Sequence, residues 1–241
     1  MNTWSATPKR PRLKVCCIAS IEEAEIAIRN GANAVGLVSA MPSGPGVIPD
    51  HRIEEIAAAI PPGVSTFLLT SSRDVEEIIG QQRRFGVDAL QLCDQLEPGA
   101  IREIRARLPG ISVVQVIHVV DGSSLESARA AASAAHALLL DSGNPLKAVK
   151  ELGGTGRTHD WAHSRSIRDA VDVPVFLAGG LTPDNVTAAV RQVRPFGVDV
   201  CSGLRTDGAL DPDKLANFVR GLDIAAPSAL FEFSADKSRG V

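Results

Sequence analysis

An acidic side chain and a glycine-rich run lie on one connection of this sequence. Asp141 ends the apolar run ALLLD, and the run GGTG follows at 153–156. A carboxylate at the carboxyl end of a buried strand lies where α/β folds place their chemistry. A glycine-rich loop before a helix exposes backbone N–H groups that bind anions. Together the two features predict an enzyme that acts on a phosphorylated small molecule. For the glycines taken alone, a flexible linker is the alternative.

Composition argues against several other classes of function. The chain has 241 residues, 44% of them hydrophobic and 22% charged, and a net charge of −3, so no nucleic-acid or membrane partner is expected. No apolar run approaches the roughly 20 residues that span a bilayer, and the polar N-terminus does not resemble a secretory signal. The four cysteines are scattered and form no CxxC motif, which predicts reduced thiols in a cytoplasmic protein. These cysteines are Cys16, Cys17, Cys93 and Cys201.

Short apolar runs alternate with helical patterns along most of the chain. Eight such β-then-α units lie within residues 13–222, and their strands are continuously apolar, as in parallel sheets covered by helices. The pattern predicts an α/β fold, a single-domain (β/α)8 TIM barrel; an open doubly wound sheet is the alternative. Residues 1–12 are predicted to be a flexible basic leader and residues 223–241 a C-terminal tail. The first helix is expected to begin after Ser20 with Glu23 completing a capping box, and the seventh near Pro183 after Thr182.

In a barrel, the residues that end each strand meet at one rim. Two of them, Cys16 and Asp141 on the first and sixth strands, form a thiol–carboxylate pair. Three glycine-bearing loops follow strands six, seven and eight, the region where barrels commonly bind phosphate. Asp199, inside the eighth strand, is predicted either to bind a sugar hydroxyl or to anchor a network at the rim. The candidate phosphate-binding residues are Gly154, Thr155, Gly156, Gly179, Gly180, Ser202 and Gly203.

Five segments of the sequence resemble the phosphoribosylanthranilate isomerase family in order and spacing. They are KVCCIAS, LLLDS, GGTGRTHDW, FLAGGLTPDNV and VDVCSGLRTDGALDPDKLANFV, and the resemblance covers roughly residues 13–222. It implies an Amadori rearrangement of a phosphoribosylated aromatic amine in tryptophan biosynthesis, without cofactor or metal. It also implies that Cys16 is the general base and Asp141 the general acid. The implied partner is a small phosphosugar substrate, and the chain is expected to be a monomer or homodimer.

Four positions depart from the family pattern. Cys17 replaces a glycine; the loop Ser43-Gly44-Pro45 replaces SPR and so lacks the arginine expected to hold the substrate carboxylate. Asp94 lies in QLCD, where the family has QLHG, and Ser39 replaces a phenylalanine. These changes leave two alternatives open: isomerisation of a different N-phosphoribosyl amine or phosphosugar, and a phosphate-binding barrel without catalysis. His51 and Arg52 are the candidates to replace the arginine, Cys17 has either a packing or a site role, and Cys93 and Cys201 are expected to pack.

Overall fold

Strands and helices alternate along the chain in the computed structural model, which describes residues 10–42, 44–120, 122–142 and 160–225. The strands of the main sheet are β1 Arg12–Val15, β2 Ala34–Val38, β3 Ser65–Thr70, β4 Ala89–Leu92, β5 Ser112–His118, β6 Ala137–Asp141, β7 Val175–Leu177 and β8 Gly197–Val200. The helices are α1 Ile21–Arg29, α2 Asp50–Ala59, α3 Val75–Phe85, α4 Pro98–Arg107, α5 Ser124–Ala132, α6 Trp161–Ala170, α7 Val186–Val193 and α8 Pro212–Ala225. A short 3-10 helix at Ser202–Leu204 and a hairpin of β9 Arg205–Thr206 and β10 Ala209–Leu210 follow β8.

The eight strands close into a parallel barrel in chain order. Its closure joins the first strand to the last: Lys14 pairs with Asp199 and Val15 with Val200 along the β1–β8 register. The prediction of a (β/α)8 barrel is therefore confirmed, and the open doubly wound sheet is excluded. Within the described ranges, no helix is long and apolar enough to cross a membrane.

Two layers of apolar side chains lie on opposite faces of the strands. The larger cluster lies between the strands and the helices; for example, Leu138 and Leu140 of β6 belong to it. The smaller cluster fills the barrel interior and includes Leu139 of the same strand. Successive side chains of a strand point to opposite faces, so each strand contributes to both layers. By the same alternation, Lys14 of β1 and Cys16, which directly follows the strand, both face inward.

Two helix starts were predicted from sequence, and one of them is correct. Ser20 caps α1, since its Oγ accepts a hydrogen bond from Glu23 N at 3.3 Å. The start of α7 was predicted too early, because α7 begins at Val186 with Asn185 as its N-cap. The Asn185 side chain instead accepts from Thr182 N and donates to the carbonyl of Gly180, which holds the preceding residues in a turn.

Some of the predictions fall on parts of the chain that the structure does not describe. Gly154, Thr155 and Gly156 lie outside the described residues, as do Ser43, most of the predicted leader and most of the tail. At the boundaries, β1 begins at Arg12, inside the predicted leader, and α8 extends through Ala225, inside the predicted tail.

Candidate active site

A buried ion pair lies next to a thiol inside the barrel. Lys14 Nζ is 2.9 Å from Asp199 Oδ1 and 3.4 Å from Cys16 Sγ, and the lysine is fully buried. Gly36 on β2 leaves room for these groups. A Cβ at that position would lie 2.8 Å from Cys16 Sγ and 3.0 Å from Lys14 Nζ. The three side chains therefore form one compact polar cluster on β1 and β8.

The lysine of this cluster remains charged because its neighbours outweigh the cost of burying it. Burial lowers the pKa of Lys14, but the charges of Asp199 and then Cys16 raise it well above its ordinary value. The ammonium also lies 5.4 Å from the centroid of the Phe67 ring, a favourable cation–π distance. The Lys14 ammonium thus faces the Cys16 sulfur, an environment typical of reactive cysteines.

Sequence analysis missed Lys14, although the sequence contains a signal for it. Lys14 is the one charged residue in the apolar run LKVCC, and it precedes Cys16 by two positions. Residues two apart in a strand face the same side, so the two must share the barrel interior. A lysine in that position needs a buried anion, and only the β1–β8 pairing shows that Asp199 supplies it.

Replacing Lys14 by methionine is expected to lower the free energy of unfolding by about 3–5 kcal/mol, because Asp199 would be left as an unpaired buried charge. Adding Asp199→Leu to that variant should restore much of the loss, since both charges are then gone. Urea denaturation of the single and double variants measures this. An unchanged denaturation midpoint for Lys14→Met alone would contradict the expectation.

Asp141 ends β6 with its carboxyl group buried at the barrel mouth. It is 7% exposed, and its Oδ1 accepts a hydrogen bond from Ser142 N at 2.7 Å. Burial raises the pKa of Asp141, against the opposing effects of the Ser142 N–H and of His118, its register partner on β5. The protonated form therefore persists to higher pH than in an ordinary aspartate. Such a group can donate a proton.

The thiol and the carboxylic acid lie around the same interior region. Cys93, at the end of β4, is 1% exposed and belongs to the interior cluster, as predicted. Burial raises the pKa of Cys93, and the charges of Cys16 and Asp141 raise it further. Cys16 and Asp141 are thus both close enough to affect the pKa of the Cys93 thiol. The charge of Asp199 likewise raises the pKa of Asp141. Cys16 and Asp141 therefore lie at the ends of β1 and β6 at one rim of the barrel, and their catalytic roles stay predictions.

The glycine-bearing loops after β7 and β8 touch backbone to backbone. A Cβ at Gly203 would lie 2.0 Å from the carbonyl oxygen of Leu181, and one at Gly179 would lie 2.8 Å from Ser142 N. Gly179 and Gly180 both have positive φ, at 82° and 64°, which glycine adopts without strain. Ser202 begins a 3-10 helix, whose first N–H groups have no partner within the helix. The ends of strands six, seven and eight thus form one continuous, glycine-lined section of the rim.

An arginine that sequence analysis missed fixes the loop carrying the thiols. Arg205 Nη1 lies 2.9 Å from Glu23 Oε1, while its Nη2 donates to the carbonyls of Cys16 and Cys17. Burial opposes ionisation of Glu23, but Arg205 and backbone N–H groups hold its pKa below the ordinary value. The same carboxylate accepts from Leu210 N in the β9–β10 hairpin. Arg205 lies in a segment that resembles the family, but its partners come from distant elements, so its role was not predicted.

Two of the four positions that depart from the family pattern, Ser39 and Asp94, have ordinary structural partners. Ser39 is buried and its Oγ donates to the carbonyl of Leu69 at 2.7 Å. Asp94 Oδ1 accepts from Gln95 N. Of the two candidates to replace the missing arginine, His51 is exposed near the start of α2, and Arg52 is exposed and paired with Glu55 on the helix surface. Neither is fixed toward the barrel interior.

Comparison with known proteins gives a consistent result across nearly the whole barrel. Residues 13–221 match the model of the family described as N-(5'phosphoribosyl)anthranilate (PRA) isomerase. A PRA isomerase of Haloferax volcanii is 40% identical over 210 residues, which is 86% of this chain and 91% of the relative. One from Methanosarcina mazei is 38% identical over 210 residues, covering 86% and 92%.

Solved structures agree with the sequence relatives. The crystal structure of the PRA isomerase of Thermotoga maritima superposes with a TM-score of 0.76 at 30% identity, covering 88% of this chain and 98% of that one. Another PRA isomerase, solved with reduced 1-(o-carboxyphenylamino)-1-deoxyribulose 5-phosphate, gives a TM-score of 0.74 at 28% identity over the same shares of both chains.

Proposed function

The chain belongs to the N-(5'-phosphoribosyl)anthranilate isomerase family, and we infer from this membership that it isomerises N-(5-phosphoribosyl)anthranilate. The product is 1-(2-carboxyphenylamino)-1-deoxyribulose 5-phosphate, and the step is the Amadori rearrangement of tryptophan biosynthesis. The observation that carries this conclusion is the match of residues 13–221 to the family, together with a relative that is 40% identical. That another family member has been solved with the reduced product adds support.

We propose that Asp141 is the general acid. Its proton would pass to the ribose ring oxygen as the bond between that oxygen and carbon 1 breaks, which opens the ring to a Schiff base. Burial of the carboxyl group at the barrel mouth, which raises its pKa, supports this role.

We propose that Cys16 is the general base. Its thiolate would take the proton from carbon 2 of the Schiff base, and the resulting enolamine tautomerises to the ketone. The Lys14 ammonium 3.4 Å from the sulfur supports this role, because a neighbouring cation stabilises a thiolate. Asp199 pairs with Lys14 at 2.9 Å, which favours its predicted role as an anchor at the rim over a contact with a sugar hydroxyl.

The substrate phosphate is proposed to bind between the loops after β7 and β8. Gly179, Gly180, Ser202 and Gly203 would contribute backbone N–H groups, together with Gly154, Thr155 and Gly156 from the preceding loop. The positive φ angles of Gly179 and Gly180 and the helix start at Ser202 support this location, because loops of this kind commonly present backbone N–H groups to anions.

The assembly and location of the protein follow from the family and from the state of its cysteines. We propose a monomer or homodimer in the cytoplasm, without nucleic-acid or membrane partners. The free state of the four cysteines fits a reducing compartment. A PRA isomerase of Thermotoga maritima is described as dimeric, which supports the homodimer.

Replacing Gly203 by alanine is expected to raise KM for the substrate at least about tenfold, because the new methyl group would push the β8 loop away from Leu181. Steady-state kinetics measures the change. The matched control is Gly80→Ala in α3, where a Cβ meets nothing within 4 Å, and that variant should keep the wild-type KM. Equal KM values for both variants would contradict the proposed phosphate site.

The activity itself is tested by following the loss of anthranilate fluorescence with freshly generated phosphoribosylanthranilate. Turnover by the purified chain, and growth of a tryptophan auxotroph that lacks this isomerase, are the expected results. A parallel activity assay with an N-phosphoribosyl amine that lacks the aromatic carboxylate tests whether the missing arginine has changed the substrate preference. Turnover of that amine alone would replace the proposed substrate with a different aglycone.

A further inference from the structure

Two cysteines that the proposed mechanism does not use lie side by side at the rim. Cys17 Sγ is 2.6 Å from Cys201 Sγ, compared with about 2.05 Å in a disulfide bond. Cys17 follows β1 and Cys201 follows β8, the two strands that close the barrel. Both thiols are free in this structure. Their sulfurs are thus already close to bonding distance, although the residues are far apart in sequence.

The backbone around Cys17 is adapted to hold this side chain in place. Cys17 has a φ of 62°, a left-handed conformation that favours glycine and that other residues adopt at a cost. The neighbouring Gly46 leaves the space that the side chain needs, because a Cβ there would lie 2.4 Å from Cys17 Cβ. Cys17 Sγ also lies 3.6 Å from the carbonyl oxygen of Pro45. A strained position thus carries a thiol where the family pattern has glycine.

The two thiols differ in accessibility and acidity. Cys201 is partly exposed, and its contact with Cys17, followed by the charge of Arg205, lowers its pKa despite partial burial. Cys17 is 5% exposed, and contact with Cys16 and Cys201 raises its pKa. Cys201 is therefore the thiol that reacts first with a reagent from solution, and Cys17 is the one that resolves the adduct. A metal is not the better explanation, because the described residues contain no group of three or more His, Cys, Asp or Glu side chains arranged to hold one.

We propose that Cys17 and Cys201 form an oxidative modification site, converted to an intramolecular disulfide by exchange with a small disulfide molecule. The Cys201 thiolate attacks one sulfur of the small disulfide, forms a mixed disulfide and releases one thiolate. Cys17 then loses its proton and attacks Cys201 Sγ, which releases the second half of the reagent as a thiol. The two cysteines are oxidised by two electrons, and one small disulfide is reduced to two thiols.

The bond would connect the end of β1 to the end of β8. These segments carry Cys16 on one side and the Ser202–Leu204 helix on the other, and Arg205 already links them through hydrogen bonds. A covalent link between residues this far apart restricts the unfolded chain strongly, so the oxidised form should be the more stable one. We expect its melting temperature to exceed that of the reduced form by about 5 °C or more.

The test is a count of free thiols after equilibration with reduced or oxidised glutathione, a linear small disulfide of the kind the exchange requires. The full-length chain is quenched in acid, alkylated in denaturant and weighed by mass spectrometry. Four alkylations are expected in the reduced sample and two in the oxidised one, with the fragment containing Cys17 joined to the fragment containing Cys201. Four alkylations under both conditions, or a bond that includes Cys93 or a second chain, would overturn the proposal.

Three variants identify the bonded pair, because Cys16 and Cys17 share one proteolytic fragment. Cys17→Gly should keep the fold, since the backbone there favours glycine, and should show three alkylations under both conditions without a rise in melting temperature. Cys16→Ala and the control Cys93→Ala should each fall from three alkylations to one on oxidation. Loss of two thiols in Cys17→Gly would assign the bond to Cys16 and overturn the proposal. Thiol counts need no turnover, so this result is independent of the isomerase assay.

Discussion

Alanine in place of Cys16 is expected to lower kcat for phosphoribosylanthranilate by about 10²–10⁴-fold, the usual contribution of a positioned base. The methyl group cannot accept the proton from carbon 2, while the substrate still reaches the glycine-lined part of the rim. KM should therefore change much less than kcat. Steady-state kinetics on the purified variant, together with its circular dichroism spectrum, measures the effect and shows that the barrel is intact.

Cys93→Ala is the matched control for this experiment. Cys93 faces the same interior and is as buried as Cys16, but it has no lysine ammonium within hydrogen-bond distance among the contacts of the described residues. Removing its sulfur should leave kcat within a few-fold of wild type. If Cys16→Ala retained wild-type kcat, or if both variants lost activity equally, Cys16 would not be the base.

Replacing Asp141 by asparagine is expected to lower kcat by a similar factor of about 10²–10⁴. The amide has nearly the same size and can still contact Ser142, but it has no acidic proton for the ribose ring oxygen. Kinetics at several pH values tests this role. Wild-type activity should fall as the pH rises through the pKa of Asp141, because only the protonated form is a general acid. An unchanged kcat in the variant would assign ring opening to another group.

The same substitution has an expected effect on stability, and its sign follows from the raised pKa. Burial raises the pKa of Asp141 in the folded state, so the folded chain prefers the protonated form. The contribution of protonated Asp141 to the free energy of unfolding is fully present below the ordinary pKa of an aspartate. It is lost as the pH rises through the pKa of Asp141 in the folded state. Asp141→Asn should therefore gain stability relative to wild type on going from acidic to neutral pH. Urea denaturation at both pH values measures the difference.

Much of the barrel was predictable because its pattern is local. Each buried strand is an apolar run that stands out in the sequence, and the start of α1 follows from Ser20 and Glu23. The start of α7 was not predicted, because Thr182 and Asn185 are both residue types that cap helices and lie only three positions apart. The later start is fixed by the Asn185 side chain, which accepts a hydrogen bond from Thr182 N and donates one to the carbonyl of Gly180.

The candidate site was predictable only where residue type and strand position were enough. Cys16 and Asp141 stand at strand ends, so their position at one rim follows from the barrel. Lys14 and Arg205 were missed, since their importance depends on partners brought near by closure of the sheet. Lys14 meets Asp199 across the β1–β8 pairing, and Arg205 reaches back to α1 and the end of β1. The spacing of residues along the sequence does not show that Lys14 lies next to Asp199 or that Arg205 lies next to Glu23.

The pairing of β1 with β8 also determines when during synthesis the thiol environment can form. Cys16 N donates to the carbonyl of Val200, and the positive charge of Lys14 has its partner on the same late strand. At a typical translation rate, the ribosome makes β1 about 10–40 s before β8 exists. During that interval the edge of β1 that will pair with β8 is open, and Lys14 has no Asp199 to pair with. The polar cluster around Cys16 can therefore form only after nearly the whole barrel has been synthesised.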